Sequence, residues 1–326
     1  MYRASQPEQT PKRLRLRERI DVHEIKQRYD RAITALKEDK QLSEANRKRI
    51  LRFVWDLQAE GVTLVRLLKY LYILPKLAKI LKKDFEKASI NDIKRVVNEI
   101  NQTKLSDWTK SDCRVALKRF YRWLRNLPPG KNPAETEWIK IGNGGKHVLP
   151  EELLDETDIQ KLLDQCQNSR DRAFTLCAYE TGGRIGELLN MRIKHVQFDN
   201  LGAHLAFSGK TGDRRVRVVA SAPALSQWKN DHPNGTDPES PLWVVIGDKH
   251  NGEPLLYYAA RALFQRLAKR AGIRKKVNPH AFRHSRASYL AKGRLNEREM
   301  EGYLGWTTAS KMPKIYVHCY DTITTL

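Results

Sequence analysis

A run rich in proline and glycine divides this chain into two parts. Residues 127–133 read LPPGKNP, and residues 141–146 read IGNGGK. Proline removes a backbone donor and glycine loosens the backbone, so no helix or strand is expected to cross this run. The 326 residues suffice for two domains of roughly 150 residues each. The sequence therefore predicts a basic N-terminal segment at 1–20, a helical domain at 21–127, a linker at 128–147 and a second domain at 148–326.

The part before the linker has a helical pattern, because its apolar residues recur three and four positions apart. Ser43 and Asn46 are typical of a helix start, and Ser89 and Ser106 each precede a further helix. The stretch 64–81 reads LVRLLKYLYILPKLAKIL, in which Pro75 is expected to break or kink the helix. A membrane-surface helix has a similar pattern. A core-facing helix with a basic face is favoured here, since the chain has so many helices.

The part after the linker mixes helices with one strand pair. Residues 205–219 read as strand, glycine-containing turn and strand. Helical patterns occur at residues 157–168, 170–182, 184–192, 255–272, 281–292 and 296–304. The predicted fold class is therefore an all-α first domain followed by a mainly α (α+β) second domain with a small antiparallel sheet.

The charge of the chain indicates a polyanionic partner. Residues 1–140 carry 33 Lys and Arg against 18 Asp and Glu, and the whole chain has a net charge of +22. Nucleic acid is the first candidate, because basic side chains displace counterions from phosphates. An RNA-binding helical protein is an alternative that rests on charge alone. No apolar stretch is long enough to span a membrane, no secretory signal is visible, and the four cysteines never form CxxC. These features favour a reducing, intracellular location.

Two short motifs could bind phosphate. Residues 181–189 read TGGRIGELL, so Arg184 follows two glycines at a helix start, where anions are favoured. A guanidinium there can hold two phosphate oxygens, and Glu187, one turn later, can orient a neighbouring cation. Lys210 occupies the turn of the predicted hairpin and could donate a proton to a bound group. Taken alone, each motif also fits a solvated surface side chain.

A third motif pairs a titratable group with a fixed cation. Residues 278–286 read NPHAFRHSR, and the spacing places His280 and Arg283 on one face of a helix. This pair suits proton transfer beside a phosphate. Metal binding by His280 and His284 is the competing interpretation, since zinc ligands can be four apart. The segment has no carboxylate, and its arginines would crowd a dication.

The last motif, LGWTTASKMPKIYVHCY, spans residues 304–320 and contains two tyrosines. A tyrosine hydroxyl is a possible nucleophile, although only about one in a thousand is ionised at pH 7. Nearby Arg and Lys would lower that cost. Tyr316 and Tyr320 are four apart, so both can lie on one helix face, and both could instead be core or surface aromatics.

In their order along the chain, these motifs resemble those of the tyrosine recombinase (phage integrase) family, most closely its archaeal and archaeal-virus integrases. The similarity covers residues 149–320 and rests on Arg184 in TGGRIGELL, Lys210 in GKTG, His280 and Arg283 in HAFR, Trp306 in LGW and Tyr316 in IYVH. The resemblance implies the tyrosine recombinase fold and makes these six residues the candidate catalytic set. Tyr316 is preferred to Tyr320 because it keeps the Tyr-x-His context of the family.

The resemblance also implies an activity. The expected reaction is site-specific recombination of double-stranded DNA through a 3′-phosphotyrosyl bond, without cofactor, ATP or metal. The implied partners are a specific recombination site and further copies of the chain, as a tetramer on DNA, with no membrane. The implied location is the cytoplasm, in association with the nucleoid. A type IB topoisomerase and a non-catalytic DNA-binding protein on the same fold are the alternatives.

Overall fold

The computed structural model describes residues 19–142, 150–209, 212–247, 249–293, 295–310, 312–313 and 316. These residues form two compact units, one within Glu24–His147 and the other within Met1–His23 and Val148–Leu326. Within the described part of the chain, no helix is long and apolar enough to cross a membrane.

The first unit is built from helices, as predicted. It contains α1 (Ile25–Glu38), α2 (Glu44–Ala59), α3 (Leu64–Leu81), α4 (Ile90–Gln102), α5 (Asp107–Leu124) and the one-turn α6 (Ala134–Glu137), with a 3₁₀ turn at Phe85–Lys87. The side chains of Ser43, Ser89 and Ser106 each accept a hydrogen bond from a backbone N–H of the first turn that follows. This capping satisfies donors that would otherwise lack a partner, so the helices begin where the sequence indicates.

The sequence predicts that Pro75 breaks or kinks its helix, and the break does not occur. The helix α3 runs unbroken from Leu64 to Leu81 with Pro75 inside it. Eight of its residues are buried, among them Leu71, Leu74 and Leu77 on both sides of the proline. Burial of these side chains offsets the hydrogen bond that Pro75 cannot donate, since each buried leucine contributes about 1.5–3 kcal/mol.

The proline-rich run is packed against the first unit rather than extended in solvent. Thr136, in α6, is buried, and Ile139 belongs to the same hydrophobic core as Phe53 and Phe120. The Nζ atom of Lys118 donates to the backbone oxygen of Ile139 over 2.9 Å. The predicted linker therefore contains an ordered portion up to residue 142, and residues 143–149 lie outside the described part.

The second unit is mainly helical and surrounds a small sheet. Its helices are α7 (Glu156–Asp164), α8 (Ser169–Thr181), α9 (Ile185–Leu189), α10 (Ala222–Asp231), α11 (Tyr257–Arg270), α12 (Pro279–Lys292) and α13 (Glu297–Leu304), with 3₁₀ turns at Pro150–Glu152 and Ile193–His195. Phe174 on α8 and Phe264 on α11 stack in the core at a centroid distance of 5.3 Å. The predicted mainly helical class is confirmed.

Three antiparallel strands complete this unit. They are β1 (Val196–Asp199), β2 (Gly202–Gly209) and β3 (Gly212–Val218), in the order β1-β2-β3. The predicted strand pair is β2 with β3, in which Leu205 faces Val216 and Gly209 faces Gly212. Buried residues alternate along β2, so one face packs on the helices. The two strands therefore pair up to Gly209 and Gly212, and residues 210–211 between them lie outside the described part.

Residues that precede the first helix belong to the second unit. Val22 lies in its hydrophobic core, and the backbone oxygen of Val22 accepts a hydrogen bond from the N–H of Tyr257 over 2.9 Å. The N–H of Ile20 donates to Oδ1 of Asn190 over 2.7 Å. The second unit is thus assembled from two separate stretches of the chain.

Candidate active site

Arg184 is held at the start of α9 by a buried carboxylate. Its Nη1 atom donates to Oε1 of Glu187 over 3.0 Å and to the backbone oxygen of Gly305 over 2.8 Å. Burial by itself would raise the pKa of Glu187, but the hydrogen bonds and charges of neighbouring arginines hold that pKa below its ordinary value. Glu187 is therefore ionised at neutral pH and orients Arg184, whose side chain is still 39% exposed.

Arg283, on α12, is buried and fixed by two carbonyl groups. Its Nη1 atom donates to the oxygen of Gly182 over 2.9 Å, and its Nη2 atom donates to the oxygen of Leu304 over 2.8 Å. Burial and the charge of Arg184 lower the pKa of Arg283 to about 10. The guanidinium remains charged at pH 7, so the site contains two oriented cations.

These two arginines open into one cavity of about 520 Å³. His280 lines the same cavity, as do Ser208 and Gly209 at the end of β2. Desolvation and the charges of Arg283 and Lys276 lower the pKa of His280, so its ring is neutral at pH 7. Two guanidinium groups beside a neutral imidazole can bind a phosphodiester and accept a proton next to it.

Tyr316 is buried, with 8% of its surface exposed, and it packs in a small cluster with Leu304 and Trp306. Its hydroxyl shares a hydrogen bond with Nδ1 of His284, and its ring is stacked on that of Trp306 at a centroid distance of 5.7 Å. The guanidinium of Arg283 also lies over the ring of Trp306, with its central carbon 5.3 Å from the ring centroid. Trp306 therefore contacts both Tyr316 and Arg283.

The contact between His284 and Tyr316 was not foreseen from the sequence. The sequence indicates His284 only as a possible metal ligand with His280, and it indicates His280 as the group for proton transfer. Among the described residues, no group of three or more His, Cys, Asp or Glu side chains is gathered for a metal ion. His284 is one helical turn after His280 on α12, and its ring is hydrogen-bonded to Tyr316 rather than paired with His280 around a metal.

Two candidates fall outside the described residues. They are Lys210, between β2 and β3, and Tyr320, the alternative nucleophile. The strands that flank Lys210 are described and pair in register up to Gly209 and Gly212. The structure thus brings together Arg184, His280, Arg283, Trp306 and Tyr316 of the six predicted residues.

The segment before the first helix also borders the cavity. Residues 19–23 line it, and Nη2 of Arg19 donates to the hydroxyl of Ser208 over 3.4 Å. The ring of His23 packs against that of Tyr257 at a centroid distance of 4.6 Å. No local pattern in the sequence indicates this placement.

Comparisons with known sequences agree with the motifs. A model of the phage integrase family matches residues 152–322. The archaeal tyrosine recombinase XerA of Pyrococcus furiosus is 30% identical over 165 residues, which cover 50% of this chain and 56% of that protein. The tyrosine recombinase XerC of Anoxybacillus flavithermus is 25% identical over 242 residues, which cover 72% of this chain and 79% of that protein.

Comparisons with solved structures agree on the fold. A XerH site-specific recombinase in a post-cleavage complex with difH DNA superposes with a TM-score of 0.64 at 19% identity, covering 94% of this chain and 96% of that one. A lambda integrase dimer bound to a COC′ core site gives a TM-score of 0.65 at 16% identity, covering 83% and 76%. At these identities the likeness establishes the tyrosine recombinase fold, which confirms the predicted class.

Proposed function

The chain belongs to the phage integrase family, and from this premise we propose that it is a site-specific recombinase that cuts and rejoins DNA strands through a covalent tyrosyl intermediate. The observation that carries the proposal is the cavity shared by Arg184, Arg283 and His280, with Trp306 in contact with both Arg283 and Tyr316. Neither a simple DNA-binding surface nor a structural core needs two oriented guanidinium groups next to a neutral imidazole and a tyrosine hydroxyl.

In the proposed step the hydroxyl oxygen of Tyr316 attacks a DNA phosphorus atom. A new oxygen–phosphorus bond forms to the tyrosine, and the bond from phosphorus to the 5′ oxygen breaks. Arg184 and Arg283 hold the non-bridging oxygens while negative charge grows on them. The neutral imidazole of His284, which is hydrogen-bonded to the Tyr316 hydroxyl, takes the tyrosine proton. Lys210 supplies a proton to the leaving 5′ oxygen.

The reverse of this step joins the strand to a new partner. Attack by a 5′ hydroxyl on the phosphotyrosine restores the phosphodiester and frees Tyr316. One ester replaces another in each direction, so the sequence of steps needs no ATP. Stabilisation of charge comes from the arginines and lysine, which leaves no step for a cofactor or metal to perform.

The first unit is proposed to clamp the DNA, with the second unit as the catalytic domain. The exposed basic side chains of α3 and α5 are candidates for phosphate contacts. Several copies are proposed to act together on a specific double-stranded site, as a tetramer, because a solved neighbour is a lambda integrase tetramer bound to a Holliday junction. The proposed location is the cytoplasm, where the protein would meet the nucleoid.

The decisive experiment traps the covalent complex. The protein is incubated with nicked duplexes carrying a randomised segment, so that the cut strand loses a short fragment and cannot be resealed. DNA that stays attached to protein under denaturing conditions is recovered and sequenced. We expect a covalent band that disappears in Tyr316→Phe and persists in Tyr320→Phe, while both variants still bind DNA.

Other outcomes assign other functions. Loss of the band only in Tyr320→Phe would keep the reaction and replace the nucleophile. A covalent band without recombination between two recovered sites, together with relaxation of supercoiled DNA, would favour a topoisomerase. DNA bound tightly without any covalent band would favour a binding protein on the same fold.

A further inference from the structure

Arg214, on β3, is a largely buried arginine that shares Glu187 with Arg184. Its side chain is 10% exposed. Its Nη2 atom donates to Oε2 of Glu187 over 2.8 Å, and its Nε atom donates to the backbone oxygen of Tyr303 over 3.1 Å. Since one guanidinium bonds to both α9 and the end of α13, Arg214 connects two elements that are far apart in the chain.

The surroundings fit the guanidinium closely. Its central carbon lies 4.6 Å from the ring centroid of Phe207. Gly305 packs against its other side, where an added Cβ atom would lie 2.6 Å from Nη1. The backbone of Gly305 is left-handed, with φ of +63°, which suits glycine. Among the described residues Nη1 has no hydrogen-bond partner, so packing and the two other bonds hold this side chain in place.

The end of α13 organises three arginines at once. The last carbonyls of a helix lack intrahelical partners and carry partial negative charge, so they attract cations. Three successive carbonyl oxygens each accept a hydrogen bond from a different arginine, namely Tyr303 from Arg214, Leu304 from Arg283 and Gly305 from Arg184. A shift of this helix end would therefore move both candidate phosphate-binding groups.

The carboxylate of Glu187 is divided between two cations. Oε1 accepts from Arg184 and Oε2 accepts from Arg214. Arg214 is the neighbour that most strongly opposes the effect of burial on the pKa of Glu187. Without Arg214, Arg184 would be the one arginine still hydrogen-bonded to this buried carboxylate among the described residues, which would weaken the pull of Arg184 on a phosphate.

We propose that Arg214 is a positioning residue for the reaction. It balances part of the negative charge of the Glu187 carboxylate, and it fixes the end of α13. Both effects keep Arg184 and Arg283 facing the cavity. Arg214 does not line the cavity itself. The inference deepens the proposed function and rests on it for its catalytic consequence, while the control of Glu187 by Arg214 stands on the contacts alone.

The test uses the full chain and two readouts. The first is the rate of covalent complex formation in a single turnover, with protein in excess over DNA, measured against pH. The second is an NMR titration of the Glu187 carboxyl carbon in protein labelled at glutamate, which needs no DNA. Arg214→Gln removes the positive charge, and Arg214→Lys keeps the charge but loses the planar guanidinium group. Arg217→Gln is the control, because Arg217 is on the same strand but pairs with Asp199 at the surface.

We expect Arg214→Gln to slow covalent complex formation about 10- to 100-fold. This effect is smaller than the slowing expected when a donor that contacts the reacting phosphate is removed. The Glu187 pKa should rise in this variant, and the acidic limit of the rate should move to higher pH. Arg214→Lys should keep the Glu187 pKa low yet still react slowly, since an ammonium cannot match the planar fork. Adding Glu187→Gln to Arg214→Gln should recover several-fold of the rate, because no buried charge is then left without its partner.

A normal rate and an unshifted Glu187 titration in Arg214→Gln would overturn the inference. So would an equal effect in Arg217→Gln. If Arg214→Gln fails to fold, Arg214→Lys and the double variant give the same decision. Failure of the wild-type protein to form any covalent complex would instead reject the proposed function, and the NMR titration would still decide the role of Arg214.

Discussion

The hydroxyl of Tyr316 and Nδ1 of His284 share a hydrogen bond within the second unit. Burial lowers the pKa of His284, and repulsion from His280 in its protonated form and from Arg283 lowers it further, so the ring is neutral at pH 7. A neutral imidazole can accept a proton at a nitrogen that carries none. The residue best placed to take the proton of Tyr316 in this structure is therefore His284, one helical turn from His280.

Substitution of His284 by alanine should slow covalent complex formation about 100-fold, the lower range for loss of a general base. Because the base works when neutral, the wild-type rate should fall only as the pH drops below the lowered pKa, on the acid side of 6.5. That acidic limb should change in His284→Ala. His204→Ala, at a half-buried histidine of β2 that pairs with Asp199, is the control. Equal rates for all three proteins would remove His284 from the mechanism.

The stability of the second unit should depend on pH through His232, which is buried. Its Nδ1 atom accepts from the N–H of Asn234, and its Nε2 atom, facing the oxygen of Pro241, must carry the proton. Burial lowers the pKa of His232, so the folded state stays neutral while the unfolded state binds a proton near pH 6.5. The stability gained by keeping His232 neutral in the folded state is fully present above pH 6.5. It is lost as the pH falls from 6.5 toward the lower pKa of His232 in the folded state.

The resulting slope should approach about 1.4 kcal/mol of unfolding free energy per pH unit. Urea unfolding between pH 5 and 8 measures it. In His232→Gln the protein should be less stable at pH 7, and the slope should be shallower. His250→Gln, at an exposed histidine, should keep the wild-type slope, and an unchanged slope in His232→Gln would assign the pH dependence elsewhere.

Local sequence patterns predict most of the helices, because a capping residue lies within one turn of the backbone groups that it binds. Ser43 caps α2 and Ser89 caps α4 through bonds to backbone groups three residues away. The helix α10 (Ala222–Asp231) and the four-residue strand β1 were not predicted. The strand is too short to show an alternation, and the pairing of Val196 with Leu205 that defines it is a tertiary contact.

The site was predictable to the extent that motifs carry it. Arg184, His280 and Arg283 stand out by their neighbours in the sequence, and the fold brings them to one cavity. Arg214 has no such signal, since its partner Glu187 lies 27 residues away and exposed arginines surround it in the sequence. The packing of Val22 in the second unit likewise depends on distant residues, which no periodicity reports.

Gly305 should be far less tolerant of substitution than its neighbour Gly302. Gly305→Ala places a side chain in a left-handed conformation and brings Cβ against the Arg214 guanidinium. The backbone alone costs roughly 1–2 kcal/mol. Gly302 lies inside α13 with open space around an added Cβ, so Gly302→Ala should stabilise the protein by about 0.5–1 kcal/mol.

Thermal unfolding and single-turnover trapping distinguish the two glycine variants. Gly305→Ala should lower the rate of covalent complex formation more than it lowers DNA affinity, because the end of α13 holds both Arg184 and Arg283. Gly302→Ala should react normally. Equal behaviour of the two variants would mean that this helix end does not position the arginines.

The exposed face of α3 should contribute phosphate contacts through Arg66 and Lys76. Both are exposed, and neither forms an ion pair within the described residues. Each phosphate contact contributes about 0.9 to the slope of log K against log salt concentration. The double variant Arg66→Gln/Lys76→Gln should therefore lower the slope by nearly 2. The control Lys48→Gln/Arg52→Gln removes the same charge from α2, where both side chains are paired with acids. Equal slope changes in the two double variants would point to net charge rather than to a binding face on α3.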